Sequence, residues 1–352
     1  MEKIGLSILE EWYSNNYETK LTGRRILLED IEPILKQLSK PFELLKIGKS
    51  EENKNIYQIK IGNGAKKILV WSQMHGNEST GTKALFDLFK YIKDPVNSVL
   101  VNTILSTCTI VIIPMLNPDG SDYFTRVNAN NVDLNRDAVD LKAKESILLR
   151  QILDKFNPDF CFNLHDQRTI FNVEGFKNPA TISFLAPSVD VERTLTDGRK
   201  KTMAVIVAMN LGLQTLIPNH IGRYTDEFYP TATGDNFQKL GHNTILIEAG
   251  HYPNDYDRDV VRKYNFYALL MGLNYIASTN EYSDYEAYFK IPNNGKQNYD
   301  VIVRGVKDDN NNKTDIAFQY EYKVVNNLLK SKLKEYERGD LGGFNGYLEL
   351  KA

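Results

Sequence analysis

The first stretch of the chain, residues 1–40, carries apolar residues at the spacing of an α-helix. They fall into two groups, Ile8, Leu9, Trp12 and Tyr13, and then Ile31, Ile34, Leu35 and Leu38. Thr22 and Gly23 interrupt the pattern between the groups, and Pro41 follows the second one. The sequence therefore predicts two helices that form an N-terminal helical segment packing on the domain that follows.

From residue 42 onward the pattern becomes one of strands alternating with helices. Residues 42–47 and 56–61 predict an antiparallel pair of strands. Five further apolar runs predict strands at Ile68–Ser72, Thr109–Met115, Phe160–Leu164, Ile182–Ala186 and Thr244–Ile247. Four segments of helical periodicity lie at Gly81–Ile92, Ser146–Phe156, Thr194–Leu211 and Arg258–Ala277. This alternation predicts an α/β fold with a mixed, mostly parallel twisted sheet covered by helices on both faces.

The pattern changes again after about residue 280, where short alternating segments are separated by turn residues. Strand-like segments lie at Val301–Val306, Ile316–Tyr322 and Tyr347–Leu350, whereas Val324–Leu333 fits a helix or a strand. We therefore predict three units: the helical segment at 1–40, a catalytic domain at 41–280 and a small β-rich C-terminal domain at 281–352.

Composition narrows the class of protein. The 352 residues are 42% hydrophobic and 25% charged, with a net charge of −2, so neither nucleic acid nor an anionic membrane is an expected partner. The N-terminus lacks a basic start followed by an apolar run, which predicts a cytoplasmic protein. Both cysteines and three of the five histidines are expected to be structural: Cys108, Cys161, His220, His242 and His251.

Two side chains that bind metals, His75 and Glu78, follow the predicted strand Ile68–Ser72. Open α/β sheets place their ligands at this end of their strands. A catalytic zinc ion takes three protein ligands and leaves one position for water. The third candidate is His165, which closes the strand Phe160–Leu164. If the two strands are neighbours, the three side chains converge, and the sequence predicts one Zn²⁺ per chain.

Other polar residues at strand ends suggest the remaining parts of an active site. Glu248 follows the apolar strand Thr244–Ile247, where a carboxylate is costly unless it faces a polar site, and it is the candidate general base. Asp133 is a candidate partner for the free ring nitrogen of a histidine ligand. Three donors suited to a substrate carboxylate and an oxyanion lie on the loop after the second core strand: Arg126, Asn135 and Arg136.

The order of these residues resembles that of the zinc metallocarboxypeptidase family, which includes related amidohydrolases. The matching motifs are His75-Gly76-Asn77-Glu78, Asn117-Pro118-Asp119-Gly120, the stretch from Arg126 to Asp137, His165 and Glu248. The resemblance covers roughly residues 42–275, and the combination of motifs is specific, whereas the His-x-x-Glu pair alone is weak.

The resemblance implies a fold and a catalytic zinc site. The family has a mixed eight-stranded sheet between helices, in agreement with the pattern described above. His75, Glu78 and His165 match the family's zinc ligands. Glu248 matches the glutamate that activates water.

The resemblance also implies how a substrate is held. Arg126 matches the arginine that polarises the scissile carbonyl and stabilises the oxyanion. Asn135 and Arg136 match the pair that binds the terminal carboxylate of the substrate. Asp133 matches the partner of the first zinc histidine.

The sequence departs from the family's pattern at several positions. Asn77 stands where digestive members carry arginine, and Asp137 stands where asparagine is commoner. The family's mobile active-site tyrosine has two candidates here, Tyr224 and Tyr229. The residue that sets side-chain preference is expected within residues 233–235.

Three functions follow from these residues. The leading hypothesis is a zinc metallocarboxypeptidase that hydrolyses the C-terminal amide bond of peptides, with Glu248 as general base. The second is a zinc amidohydrolase that acts on N-acyl amino acids or cell-wall-derived peptides, which also carry a free carboxylate. The third is a catalytically inactive, metal-binding relative, which the presence of all three ligands and Glu248 argues against.

Overall fold

A computed structural model of the chain describes residues 5–307 and 313–352. Its strands are β1 Glu43–Lys49, β2 Asn55–Ile61, β3 Lys66–Ser72, β4 Cys108–Ile113, β5 Phe160–Asp166, β6 Phe171–Val173, β7 Ile182–Leu185, β8 Ile221–Arg223, β9 Asn243–Ala249, β10 Asn294–Lys296, β11 Asn298–Lys307, β12 Lys313–Val325, β13 Leu328–Gly339 and β14 Asn345–Lys351. Its α-helices are α1 Leu6–Asn16, α2 Leu28–Lys36, α3 Thr80–Lys93, α4 Ser98–Thr107, α5 Pro118–Tyr123, α6 Lys144–Phe156, α7 Asp197–Leu216, α8 Thr233–Lys239 and α9 Asp259–Ser278.

Eight strands form the central sheet, in the order β1-β2-β4-β3-β5-β9-β7-β8. The pairs β3–β4, β3–β5, β5–β9 and β7–β8 are parallel. The pairs β1–β2, β2–β4 and β7–β9 are antiparallel. The predicted fold class, a mixed and mostly parallel sheet, is therefore confirmed. In this order β3, which precedes His75, lies beside β5, which contains His165. Strand β9, which carries Glu248, lies on the other side of β5.

Apolar side chains cover both faces of the central sheet. On one face, Phe89 of α3, Met203 of α7 and Leu270 of α9 belong to the larger core, and α1 and α2 extend it. On the other face, Leu149 of α6 and Phe237 of α8 pack in a second core. Since buried apolar area is the main stabilising term in folding, this two-sided packing holds the strand ends in a fixed arrangement.

The N-terminal helical segment is joined to the core by buried polar contacts. The guanidinium of Arg262 on α9 and the carboxylate of Asp87 on α3 are both fully buried, with a nitrogen–oxygen distance of 2.6 Å. The same guanidinium donates to the backbone carbonyls of Leu21 and, at 3.0 Å, Glu18. Residues 18–21 thus satisfy donors that would otherwise be buried without a partner.

The C-terminal strands form a separate sheet in the order β13-β12-β11-β14. Val324–Leu333, which fitted either type of element, contains the end of β12, a two-residue turn and the start of β13. Asn326 and Asn327 form the turn, with left-handed φ values of 51° and 60°. Ile302 and Ala317 of this sheet share a core with Ile170 and Phe171 of the catalytic domain. The sheet therefore packs directly on the segment that follows β5.

Several short elements differ from the expectations. The Asn117-Pro118-Asp119-Gly120 motif opens helix α5, and Asn117 Oδ1 accepts the Gly120 N–H at 2.8 Å. Helices α4 and α8 and strands β6, β8 and β10 were not expected. All five are only three to ten residues long, and tertiary packing rather than periodicity sets them. Within residues 5–307 and 313–352, no helix has the length and apolar character needed to cross a membrane.

Candidate metal centre

The three predicted metal ligands lie at the carboxyl edge of two adjacent parallel strands. Ser72 at the end of β3 is paired with Leu164 in β5. His75 and Glu78 lie on the short loop after β3, and His165 is the next residue after Leu164. The register of the two strands therefore brings the loop and His165 to the same point of the sheet edge.

The ligand atoms of these three residues converge. Nδ1 of His75 lies 3.2 Å from Nδ1 of His165 and 2.9 Å from Oε1 of Glu78. Nδ1 of His165 lies 2.9 Å from Oε2 of Glu78. All three atoms lie within 4.8 Å of one another, and both imidazoles are buried. Two imidazole nitrogens and a carboxylate are the donors of many hydrolytic zinc sites, so the residues fit a zinc ion with a fourth position open to solvent.

The electrostatics of the three residues are those of a buried anion between two imidazoles. Burial alone raises the pKa of Glu78, but the charge of His75 and the hydrogen bonds with both imidazoles outweigh it, so this pKa falls well below its usual value. Burial lowers the pKa of His165 below its ordinary value, which favours the neutral ring. A carboxylate and a neutral imidazole are the protonation states that metal binding requires.

Asp133 connects the first histidine to the neighbouring loop. Its Oδ1 lies 3.1 Å from Nε2 of His75, and its Oδ2 accepts from Nε of Arg126 at 2.9 Å. Oδ1 also accepts the backbone N–H of Asn135 at 2.9 Å. Because Nε2 of His75 is bound to this carboxylate, Nδ1 is the ring nitrogen left to face Glu78 and His165.

Glu248 lies beside His165 in the sheet. The two residues are directly paired in the β5–β9 ladder, so their side chains leave the same face. Oε2 of Glu248 is buried and has no hydrogen-bond partner among the described residues. Burial, together with the negative charges of Glu78 and Asp166, raises the pKa of Glu248 well above its ordinary value. This carboxyl group is thus available to a water molecule or a ligand at the centre.

The cationic and amide side chains on the loop after α5 border the centre. Nη1 of Arg126 lies 3.3 Å from Nδ1 of His75 and 3.5 Å from Oε1 of Glu78, while 45% of its side chain is exposed. Its guanidinium therefore reaches from the ligands toward solvent.

Asn135 and Arg136 lie on a 3-10 turn, Leu134–Arg136, that Asp133 caps. Oδ1 of Asn135 accepts the N–H of Thr233, at the start of α8. Arg136 donates to the backbone carbonyl of Asn135 and has no carboxylate partner within 4.0 Å in the described part of the chain. An exposed guanidinium that is free of an ion pair is suited to an anionic ligand.

The two candidate tyrosines occupy different places. Burial, and then the negative charges of Glu248 and Glu78, raise the pKa of Tyr224. The charges of the candidate centre therefore act on the hydroxyl of this tyrosine. Tyr229 is 49% exposed, and its ring centroid lies 5.7 Å from the guanidinium of Arg136. Tyr224 accordingly neighbours the carboxylates, and Tyr229 neighbours the outer arginine.

The remaining histidines lie outside the cluster. His220 contacts the hydroxyl of Thr181 at 2.9 Å, and His242 contacts the carbonyl of Pro158 at 2.8 Å. His251 packs between the rings of Tyr256 and Tyr347, with centroid distances of 4.9 Å and 4.4 Å.

Two charged residues near the centre were missed by the sequence reasoning. Asp166 directly follows His165, and its Oδ2 accepts from the hydroxyl of Thr80 at 2.6 Å. Its position at the end of a buried strand was the same signal that identified His165. Arg258 lies at the start of α9, and a cation there carried no signal because arginine is ordinary in a helix.

Comparison with known proteins finds similarity to carboxypeptidases. Residues 28–172 match the family model described as zinc carboxypeptidase. Carboxypeptidase SOL1 of Arabidopsis thaliana is 33% identical over 136 residues, which cover 34% of this chain and 27% of that protein. Carboxypeptidase 2 of Trichophyton rubrum is 31% identical over 104 residues, which cover 29% of this chain and 19% of that protein. The chain thus spans well under a third of the length of these curated relatives.

Solved structures show the same fold. A metallo-carboxypeptidase from Burkholderia cenocepacia aligns with a TM-score of 0.56 and 16% identity, covering 70% of this chain and 67% of that one. The carboxypeptidase A from Helicoverpa armigera aligns with a TM-score of 0.55 and 14% identity, covering 78% of this chain and 81% of that one. At these identities the likeness concerns the fold alone. The resemblance that the motifs predicted is confirmed by the family match.

Proposed function

The chain is recognised as a zinc carboxypeptidase relative over residues 28–172, and from this premise we propose that it is a metallocarboxypeptidase. It hydrolyses the amide bond next to a free C-terminal carboxylate. The substrates are peptides, and the cofactor is one Zn²⁺ per chain.

The cofactor binds to His75, Glu78 and His165. Support comes from the convergence of their ligand atoms within 4.8 Å of one another and from the contact of His75 Nε2 with Asp133. These donors would hold a zinc ion, which when bound would supply Lewis-acid chemistry toward the substrate carbonyl and a water molecule. The protein residues around it supply the proton transfer, the charge stabilisation and the substrate binding.

Glu248 is the general base. It accepts a proton from the attacking water and later donates a proton to the leaving amine. Burial and the charges of Glu78 and Asp166 raise its pKa, which makes the ionised carboxylate a stronger proton acceptor than an exposed glutamate.

Arg126 stabilises the negative charge that develops on the carbonyl oxygen of the substrate. Its guanidinium lies near the ligand atoms and is partly open to solvent, so a substrate carbonyl has access to it. A fixed cation at such a point lowers the energy of the transition state more than that of the bound substrate.

Asn135 and Arg136 bind the terminal carboxylate. The 3-10 turn that holds them is anchored to Asp133 and to α8, so their distance from the metal ligands is fixed. A substrate whose carboxylate is held there presents only its last amide bond to Glu248. The observation that carries the proposal is the direct pairing of Glu248 with His165 beside the converging ligands.

The test compares one peptide with a free C-terminus and the same peptide amidated, using wild-type protein, Glu248→Gln and the exposed control Glu192→Gln. We expect release of the last residue from the free peptide only, retained by the control. The kcat of the Glu248→Gln variant is expected to be roughly 10²- to 10⁴-fold lower than that of wild-type protein, while the variant retains zinc. Zinc binding with hydrolysis of N-acyl amino acids and no peptide would replace the proposal with an amidohydrolase. Equal cleavage of the amidated peptide would contradict the assigned role of Asn135 and Arg136.

A further inference from the structure

Arg258 is a fully buried cation close to the candidate centre. Its residue is 1% exposed, and its guanidinium donates to two backbone carbonyls, those of Ala249 and, at 2.6 Å, Gln167. No carboxylate oxygen lies within 4.0 Å of this guanidinium in the described ranges of the chain. Burial and the like charge of Arg24 lower the pKa of Arg258 to about 10.

The two carbonyls lie at the carboxyl ends of the strands that carry the centre. The β5–β9 ladder ends with the pairs His165–Glu248 and Asp166–Ala249. Ala249 is thus the residue after Glu248, and Gln167 is the second residue after His165. The N–H of Gln167 also donates to the Ala249 carbonyl, at 2.9 Å. Arg258 therefore links the ends of β5 and β9 just beyond the pair His165–Glu248.

Helix α9 holds Arg258 in place. The carboxylate of Asp255 accepts the N–H groups of Asp259, Val260 and Val261, at 2.8 Å, 2.9 Å and 2.9 Å. Arg258 precedes this first turn with a left-handed φ of 60°, a conformation that is unfavourable for residues with a Cβ. A desolvated cation and an unfavourable backbone conformation at one residue both cost stability, and both persist because the surrounding contacts fix them.

We propose that Arg258 is a positioning residue that fixes the spacing between His165 and Glu248 by bridging the carbonyls of Gln167 and Ala249. A planar guanidinium donates along two parallel directions, whereas an ammonium is a point charge without this geometry. The inference rests on the proposed function for the role of Glu248, but the bridge itself is a property of the fold. The described residues show no hydrogen bond or ion pair from Arg258 to the ligand atoms or to the carboxyl group of Glu248, so its positioning role acts through the two backbone carbonyls, while its charge also partly offsets the rise in the pKa of Glu248 that burial causes.

Arg262, one turn further along α9, provides a matched control. It is also a fully buried arginine that donates to two backbone carbonyls, those of Leu21 and Glu18, and it is paired with Asp87. Its acceptors belong to the N-terminal segment and not to β5 or β9. A lysine substitution at either position removes a bidentate arginine from a buried site of the same helix.

The experiment compares Arg258→Lys, Arg258→Gln and Arg262→Lys, all reconstituted with zinc, for kcat, KM, melting temperature and amide hydrogen exchange at Gln167. Glutamine at 258 carries no charge, so it avoids an unpaired buried ammonium and is the second variant if lysine prevents folding. For both Arg258 variants we expect kcat to fall roughly 10- to 100-fold with KM unchanged within about twofold, because small misplacements of reacting groups lower the rate steeply. We also expect faster exchange of the Gln167 amide. The Arg262→Lys variant is expected to melt at a lower temperature with wild-type kcat.

Two results would overturn the inference: a folded Arg258 variant with wild-type kcat and wild-type exchange at Gln167, or an equal loss of kcat in Arg262→Lys. If wild-type protein hydrolyses no peptide, the proposed function fails, and the exchange at Gln167 together with the visible spectrum of the cobalt-substituted protein decides the inference. Unchanged exchange and an unchanged spectrum would then reject the bridge.

Discussion

At the scale of single residues, Asp133 links the parts of the centre. Its carboxylate contacts Nε2 of His75, Nε of Arg126 and the N–H of Asn135, so one side chain orients a metal ligand, a cation and the turn that precedes Arg136. The burial of Asp133 raises its pKa, but its contacts with His75 and the cation of Arg126 outweigh this effect and hold the pKa below its ordinary value. Asp133 therefore stays ionised at any pH at which the protein is studied.

Replacing Asp133 by asparagine is expected to weaken zinc binding about 10- to 100-fold, since outer partners of metal-bound histidines have effects of this size. The amide retains the shape of the side chain but loses the charge that favours the correct ring nitrogen of His75. The measurement is the zinc dissociation constant by competition with a chromophoric chelator. Asp140→Asn, on an exposed side chain of the same loop, serves as control. Equal affinities of Asp133→Asn and wild-type protein would contradict the role given to Asp133.

Much of the candidate site is predictable from individual residues, for a physical reason. His75, Glu78, His165 and Glu248 each follow an apolar run, and parallel strands end at a common edge, so the pattern places all four at one edge of the sheet. That β3, β5 and β9 are neighbours in that sheet comes from the structure. The tyrosines were not predictable in this way. Tyr224 and Tyr229 lie on the segment between β8 and α8, which has no periodicity that fixes side-chain direction.

At the scale of elements, the C-terminal sheet contacts the segments on either side of the centre. The hydroxyl of Tyr347 on β14 donates to the carbonyl of Thr169, after β5, and its ring packs on His251, after β9. Tyr322 on β12 lies under the guanidinium of Arg24, at 4.8 Å. The sheet therefore supports the loops that lead away from both strands of the centre.

The packing of His251 predicts acid sensitivity of this interface. Burial, then the positive charge of Arg258, lowers the pKa of His251 to about 3, and neither ring nitrogen has a partner in the described structure. A histidine with a depressed folded-state pKa contributes stability that is complete above pH 6.5 or so and is lost as the pH falls toward about 3. The full shift corresponds to on the order of 5 kcal/mol.

A His251→Phe variant is therefore expected to lose less stability than wild-type protein between about pH 6.5 and 4.5, because phenylalanine keeps the ring packing and cannot be charged. Urea unfolding at several pH values measures the difference. Parallel loss of stability in the two proteins over this range would show that the pKa of His251 in the folded state is not depressed.

The long elements of the fold were predictable and the short ones were not. The strands β3, β5 and β9 stand out as apolar runs that end at polar residues, and the helices α3 and α9 stand out by their length of 14 and 20 residues. The sequence of Val324–Leu333 fits a helix or a strand, although Asn326 and Asn327 are of a residue type that accepts left-handed φ values. The turn signal there was present in the sequence, but the flanking lysines obscured the alternation of the strand β13.

At the scale of the whole molecule, the three predicted units share cores. Residues of α1 belong to the core that contains α3 and α9, and residues of β11 and β12 share a core with the segment after β5. Buried contacts that cross a proposed boundary couple the stabilities of the two sides. The sequence pattern therefore changes near residues 40 and 280, whereas the packing continues across both positions.

We expect the zinc-loaded protein to unfold in one cooperative calorimetric transition, since one core extends across the boundary near residue 40 and another extends across the boundary near residue 280. Differential scanning calorimetry with a comparison of calorimetric and van't Hoff enthalpies is the measurement. Two resolved transitions, one of them retained by a protein that ends before β11, would show that the C-terminal sheet is an independent unit.

The central claim is that His75, Glu78 and His165 hold one zinc ion that enables hydrolysis at the C-terminus of a peptide. The most direct test is to titrate zinc into chelator-treated protein while measuring release of the last residue from a peptide with a free C-terminus. The account predicts activity that rises linearly and reaches its plateau at one zinc per chain, and no such rise in His165→Ala. Full activity in the chelator-treated protein, or a linear rise to the same plateau in His165→Ala, would contradict it.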